Sequence, residues 1–116
     1  MGKFAMLALF LTAGHAQAGW FGPGSIKECQ ASVSQNKLWV GARRAYLLSC
    51  YVNMVDEWGE AHLSKMPQDQ RDSVEATAVC IYDRGMRDEM NDERATRNVV
   101  ANCSKDDFAY RFFLPR

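Results

Sequence analysis

Four cysteines constrain this chain more than any other feature, because each pair that oxidises ties two distant segments together. They are Cys29, Cys50, Cys80 and Cys103. A structural zinc site typically draws on closely spaced pairs of cysteines, whereas these four are widely separated. The chain also has no C-x-x-C motif for thiol redox chemistry and no C-x-x-C-H motif for haem attachment. We therefore predict two disulfide bonds, and no metal ion or other cofactor.

The first 18 residues are typical of a secretory signal peptide. Lys3 supplies the positive N-terminal charge, Phe4–Ala13 is apolar, and Ala16-Gln17-Ala18 matches the small-x-small pattern of a cleavage site. The apolar run is shorter than the roughly 20 residues that span a bilayer, so a retained membrane anchor is not expected. We predict cleavage after Ala18, a single mature domain of residues 19–116, and a periplasmic or secreted location, where disulfides form.

Capping residues and apolar periodicity predict four helices joined by short loops. Ser25 and Glu28 form a capping box, which predicts a first helix from Ile26 to about Gln35. A second, longer helix is predicted from about Ala42 to Leu63, on the basis of an apolar stripe that includes Leu47. Pro67 follows it and stops the helical pattern, because proline has no amide hydrogen and disfavours helix in the residue before it.

The second half of the chain repeats this pattern of cap and amphipathic helix. Asp69 is the predicted N-cap of a third helix that extends to about Met90. Asn91 and Asp92 then offer a break and a new cap for a fourth helix, which carries Cys103. Only residues 108–112 alternate as a strand would, and they are too few to carry a sheet. The predicted fold is all-α: a small four-helix arrangement of two helical hairpins, stapled by two disulfides.

The positions of the cysteines limit how they can pair. Each predicted connection between helices lies midway between two cysteines, so an up-and-down arrangement brings all four sulfurs to one height, as disulfide geometry requires. Sequential pairing joins Cys29 to Cys50 and Cys80 to Cys103. Nested pairing joins Cys50 to Cys80 and Cys29 to Cys103. The crossed alternative joins diagonal helices and is set aside.

A faint internal repeat favours the sequential pairing. Residues 42–50, ARRAYLLSC, align without gaps with residues 95–103, ATRNVVANC, so the chain reads as two similar units that each close on themselves. The first of these stretches also resembles a cysteine-bearing helix of exported conjugal-transfer accessory proteins of the TrbM type. That resemblance covers less than a tenth of the chain, and it implies an accessory role in an envelope or conjugation machine.

The charge balance excludes one class of partner. The chain has a formal net charge of zero at pH 7, and its basic residues alternate with acidic ones, as in residues 83–89. It therefore lacks the clustered positive surface that nucleic-acid binding requires. Opposite charges four residues apart instead predict helix-surface ion pairs, Asp83 with Arg87 and Arg84 with Asp88.

No motif for catalysis stands out. His62 is the only histidine beyond residue 18, and it is not part of an H-E-x-x-H zinc motif. Glu57, Glu60 and Glu75 could supply the two carboxylates of a glycosidase, but acids on exposed helix faces are expected in any case. No serine lies in a nucleophile elbow. We predict that the protein is not an enzyme, with a small hydrolase as the least favoured alternative.

The aromatic residues are the predicted partner-binding residues. Aromatic side chains dominate the binding energy of protein interfaces, although a small helical domain also needs them for its core. The residues concerned are Trp20, Phe21, Trp39, Phe108, Tyr110, Phe112 and Phe113.

Export, staples and surplus aromatics together predict a periplasmic protein-binding module of the immunity, inhibitor or envelope-accessory type. Its partner is expected to be another envelope protein. The alternative is a saposin-like lipid or membrane-surface protein, which nested disulfides across a helical hairpin would favour. Membrane association is therefore the less favoured of the two predictions.

Overall fold

A computed structural model describes residues 24–54 and 63–114, apart from the side chains of residues 53 and 54. These ranges contain five α-helices, one 3-10 turn and no β-strand, so the predicted all-α class is confirmed. Several sequence predictions lie outside the described residues: the signal peptide, the last part of the long second helix, Trp20, Phe21, Glu57, Glu60 and His62.

Helix α1 spans Ile26–Gln35 and begins at the predicted capping box. The Ser25 hydroxyl accepts a hydrogen bond from the Glu28 amide at 3.2 Å. The Glu28 carboxylate reaches back one residue further than expected and accepts from the Gly24 amide at 2.7 Å. Both contacts satisfy amide hydrogens near the helix start or in the residue before its cap, which have no partner within the helix.

Helix α2 spans Arg43–Met54 and is entered through a 3-10 turn, Val40–Ala42. The Trp39 amide before this turn donates a hydrogen bond to the Met90 carbonyl at 2.8 Å. This bond links the start of α2 to the connection between the two helices of the second hairpin. The Trp39 ring covers Gly41 so closely that an added Cβ would lie 2.8 Å from the ring atom Cε3.

Helix α3 spans Gln68–Met86, so both of its predicted ends were displaced. The N-cap is Pro67 and not the predicted Asp69. Asp69 lies in the first turn, where its negative charge interacts favourably with the helix dipole. The helix stops before Met90 because Asp88 adopts a left-handed conformation with φ of 60°. That turn lets Met90 become fully buried and accept the hydrogen bond from Trp39.

The same turn changes one predicted ion pair. Arg87 pairs with Asp83 at 2.7 Å, as predicted. The predicted pair of Arg84 with Asp88 is wrong, because the helix has ended there, and Arg84 pairs with Glu89 at 3.2 Å. The Asp88 carboxylate instead accepts a hydrogen bond from the Lys37 amide at 3.1 Å, which links the turn after α3 to the connection between α1 and α2.

The chain ends in two further helices, α4 (Glu93–Cys103) and α5 (Asp107–Phe113). Asp92 caps α4 as predicted, accepting from the Ala95 amide at 2.8 Å. The second of these helices was missed, because its sequence alternates like a strand. It forms because Asp106 caps it and because Ala109 and Phe113, four residues apart, are buried on one face.

Both disulfides follow the sequential pairing. Cys29 bonds to Cys50, with Cα atoms 5.9 Å apart, and Cys80 bonds to Cys103, with Cα atoms 5.5 Å apart. One bond closes the α1–α2 hairpin and the other closes the α3–α4 hairpin. All four cysteines are in these two bonds, so none is free to bind zinc. The observed pairing also differs from the nested pairing on which the saposin-like alternative rested. The disulfides indicate an oxidising, exported environment.

The two hairpins meet where α2 packs against α3. At their contact the rings of Tyr46 and Tyr82 stack with centroids 4.9 Å apart. Gly85 makes this approach possible, since a Cβ there would lie 2.6 Å from Tyr46 Cε1. Across the described ranges, no helix is long and apolar enough to cross a bilayer.

Candidate functional site

The aromatic residues predicted to bind a partner divide into three groups. Phe113 is completely buried and belongs to the core. Trp39, Tyr110 and Phe112 are half-buried and pack against that core. Phe108 is exposed over 36% of its surface. The structure therefore assigns Phe113 to packing, and among the described residues of this set only Phe108, on α5, is exposed.

We call Phe108 and Phe112 the aromatic ridge. They lie one turn apart on α5, with ring centroids 6.5 Å apart, and Phe112 meets Phe113 edge to face at 4.9 Å. The buried ring of Phe113 therefore packs against Phe112, which in turn contacts Phe108. The linker before α5 is held in place by a hydrogen bond from the Lys105 amide to the Thr77 hydroxyl at 3.1 Å.

A second feature, which the sequence analysis missed, is an open cleft of about 600 Å³ between α1 and α3. Its lining combines apolar surface with uncharged polar groups and one carboxylate, and it lies over the side chains that join the two hairpins. The residues that line it are Glu28, Ala31, Ser32, Gln35, Asn36, Tyr82 and Met86.

The floor of this cleft is a buried network of hydroxyl groups. The Ser32 hydroxyl lies 2.8 Å from that of Tyr46 and 3.4 Å from that of Tyr82. The Asn36 amide group donates to the Tyr46 hydroxyl at 3.2 Å and to the Ser32 carbonyl at 2.7 Å. Residues from α1, α2 and α3 are therefore joined at one point. Each of the three hydroxyls in this network has a hydrogen-bond partner, as buried polar groups require.

Burial makes the Tyr46 phenol a weaker acid than usual. Its surroundings raise the pKa of the phenol well above its usual value, because the charged form cannot be hydrated, although the hydrogen bond to Ser32 opposes this. A group whose pKa is raised in the folded state loses its stabilising effect as the pH rises past the value in the unfolded chain. Tyr46 therefore makes the fold less stable in alkali.

We expect Tyr46→Phe to lower the free energy of unfolding at neutral pH by about 1–3 kcal/mol, because Ser32 and Asn36 lose a buried partner. Urea unfolding at pH 7 measures this loss. Repeating the series at about pH 10.5 should show a smaller difference from the parent, since the phenylalanine cannot ionise. Tyr110→Phe is the control, expected within about 0.5 kcal/mol of the parent. Equal stability of the Tyr46 variant and the parent would contradict the network.

A third feature is a basic patch at the start of α2. Arg43 and Arg44 border a small apolar pocket of about 180 Å³, which Val33 and Leu47 also line. Among the described residues neither arginine forms an ion pair, whereas Arg97 on α4 pairs with a carboxylate at 3.1 Å. The patch places two positive charges side by side at the start of α2.

The acids considered for hydrolysis are not assembled by the described residues. Glu75 is half-buried, and its pKa is raised by that burial first and by the neighbouring charge of Asp72 second. The other two acids and His62 lie outside the described residues. In the described part of the chain, no three histidine, cysteine or acidic residues come close enough to hold a metal ion.

The cleft residues carry only a weak signal in the sequence. Ser32 lies on the buried side of α1, and Asn36, one turn later, is the C-cap of that helix. Their partners Tyr46 and Tyr82 are distant in the chain. Polar residues on a buried helix face were the available clue, but only the packing of three helices shows what they face.

The fold and these surfaces define a small all-α protein made of two disulfide-closed helical hairpins and a C-terminal helix. Comparisons with known protein families, with curated proteins and with solved structures each find no match to this chain. The residues themselves are therefore the basis for a functional assignment.

Proposed function

We propose that this protein is an exported, periplasmic protein-binding module that acts through a surface and not through catalysis. Its partner is another envelope protein, as an immunity protein, an inhibitor or an accessory of an envelope or conjugation machine would have. The observation that carries the proposal is the aromatic ridge, where Phe108 is 36% exposed and contacts Phe112, which packs on the buried Phe113. Large aromatic side chains on a well-supported surface are the typical anchors of protein interfaces.

The rest of the molecule supports this role. Each hairpin is closed by its own disulfide, so little ordering of either hairpin is needed when a partner binds. A surface that is ordered in advance binds more tightly. The same bonds are expected to form after export, in agreement with the predicted signal peptide of residues 1–18. Arg43 and Arg44, which form no ion pair with any residue that the structure describes, additionally favour a partner with acidic groups.

Site-specific photo-crosslinking in the native host tests the proposal. A benzoylphenylalanine at position 108 should yield one predominant adduct of defined mass in the envelope fraction. The matched control is position 40, because Val40 is the most exposed large apolar side chain among the described residues, at 70%, and lies on the 3-10 turn, which packs against α2 and α4. No adduct at position 108, or the same adducts at both positions, would contradict the proposal.

With the crosslinked partner purified, we expect Phe108→Ala to weaken its binding at least about tenfold, since anchor residues typically contribute more than 1.4 kcal/mol. The same change should lower the free energy of unfolding by no more than about 1 kcal/mol, because the ring is partly exposed. Isothermal titration calorimetry and urea unfolding measure the two effects. Val40→Ala is the control for both. An affinity that Phe108→Ala leaves unchanged would place the interface elsewhere.

A further inference from the structure

We propose that the cleft between α1 and α3 is a binding site for a neutral oligosaccharide. This goes beyond the protein-binding role and uses a different surface. The cleft volume of about 600 Å³ lies within the range of small-molecule sites, which run from about 300 to 1,000 Å³. It is open along one side, as a site for a chain of sugar units must be.

The charges of the lining exclude ionic ligands. Among the described residues no lysine, arginine or histidine lines the cleft, so an anion such as a phosphate would find no counter-charge there. Glu28 is the single carboxylate, and it already accepts a hydrogen bond from the Gly24 amide at 2.7 Å. A cation would therefore face one carboxylate that is already engaged. The cleft suits a ligand that is polar and uncharged.

The hydroxyl floor matches sugar hydroxyls in particular. The Ser32 hydroxyl uses two of its three hydrogen-bonding sites on Tyr46 and Tyr82, so one site is left for a sugar hydroxyl. Ser32 and Tyr82 are nine-tenths or more buried, and Tyr46 beneath them is fully buried. The floor is therefore held in position before a ligand arrives, which lowers the entropy lost on binding.

The walls complete the match with a pyranose ring, which has polar edges and an apolar face. Gln35 and Asn36 supply planar amides at the wall of the cleft. Ala31 and Met86 supply apolar contact, and Met86 is 38% exposed although it is a large apolar side chain. An extended peptide fits less well, because both cleft walls are helices whose backbone groups are bonded within the helix.

Nuclear magnetic resonance of the intact, oxidised protein tests this site. The amide resonances of the 15N-labelled protein are followed during titration with N,N′,N″-triacetylchitotriose and, separately, with cellotriose. We expect saturable shifts from at least one sugar, confined to residues around the cleft, with Ser32, Gln35 and Met86 among them. The affinity is expected to be in the millimolar range or tighter, as is ordinary for a small open site.

Two variants of the same helix separate the site from general effects. Gln35→Ala removes an exposed amide from the cleft wall and should weaken sugar binding about fivefold, the effect of one hydrogen bond. Gln30→Ala removes the same group from the other side of α1, where it lines the small apolar pocket, and should leave binding unchanged. Phe108→Ala should also leave it unchanged, so failure of this proposal and failure of the protein-binding proposal are distinguishable.

Three results would overturn the inference. The first is the absence of saturable shifts from either sugar up to about 10 mM, a concentration at which millimolar binding is measurable. The second is an equal loss of binding in the Gln30→Ala and Gln35→Ala variants. The third is saturation of the same resonances by blocked trialanine at lower concentration than either sugar, which would identify the cleft as a peptide site.

Discussion

Loss of either disulfide is expected to lower the free energy of unfolding by about 3 kcal/mol, and loss of both by about 6 kcal/mol. The bonds join residues 21 and 23 positions apart in sequence. In the chain-entropy description, closing a loop of this length removes about that much conformational freedom from the unfolded chain. A small domain has a total stability of about 5–15 kcal/mol, so the doubly reduced protein should be largely unfolded near physiological temperature.

Urea unfolding of variants with both cysteines of a pair replaced by alanine measures these losses. The pair variants are Cys29→Ala with Cys50→Ala, and Cys80→Ala with Cys103→Ala. The first should lose slightly more than its loop predicts, because both of its cysteines are fully buried and their removal leaves cavities. If the variant that lacks all four cysteines keeps most of its stability, packing and not the disulfides holds the hairpins together.

The two bonds should also differ in how readily they are reduced. Cys80 is only half-buried, whereas the other three cysteines are buried. A thiolate must reach a sulfur atom to attack a disulfide, so limited reduction should open Cys80–Cys103 first. Alkylation and mass mapping after brief treatment with dithiothreitol reveals the order. Earlier loss of Cys29–Cys50 would contradict the observed burial.

Phe113→Ala is expected to lower the free energy of unfolding by about 4 kcal/mol, the usual effect of removing a fully buried phenylalanine ring. Phe113 is 0% exposed, and it is the residue through which α5 enters the core. Its removal leaves a helix of 7 residues, too short to be stable without packing. Increased hydrogen exchange across α5 should accompany the loss of stability.

Phe112→Ala is the matched control for that prediction. It removes the same ring from the neighbouring position, but Phe112 is only half-buried, so its loss should be at most about 2 kcal/mol. Thermal and urea unfolding compare the two variants directly. Equal losses would mean that α5 is held by its aromatic ridge as much as by its buried anchor. That result would also weaken the case for a ridge available to partners.

Much of the fold could be predicted because it depends on local chemistry. The caps Ser25 and Asp92 act through hydrogen bonds to amides three residues away, so they are recognisable without any tertiary information. Comparing the cysteine positions with the helix connections reduced the disulfide pairings to two, and the internal repeat favoured the sequential pairing that the structure has. The buried face of α3, which includes Val74 and Ala78, also followed its helical period.

Other features depended on contacts between distant residues. The apolar stripe of α2 predicted an inward Leu47, but that residue is half-buried, and Tyr46 and Ser49 beside it are fully buried. The face of α2 is rotated because the Tyr46 ring stacks on Tyr82 over Gly85, a close approach that no period within α2 shows. The end of α3 likewise depended on the burial of Met90 against the other hairpin.

The sequence by itself determined the helical class, the caps Ser25 and Asp92, and the presence of two bridges with the sequential pairing favoured, because each depends on residues within one helix or one hairpin. The tertiary structure decided which aromatic rings are buried, where α3 ends, and how Ser32, Tyr46 and Tyr82 form the floor of a cleft. The physical reason is the range of the interaction. Hydrogen bonds at caps are set by neighbours in the chain, whereas burial of a ring or a hydroxyl is set by the helix that packs over it.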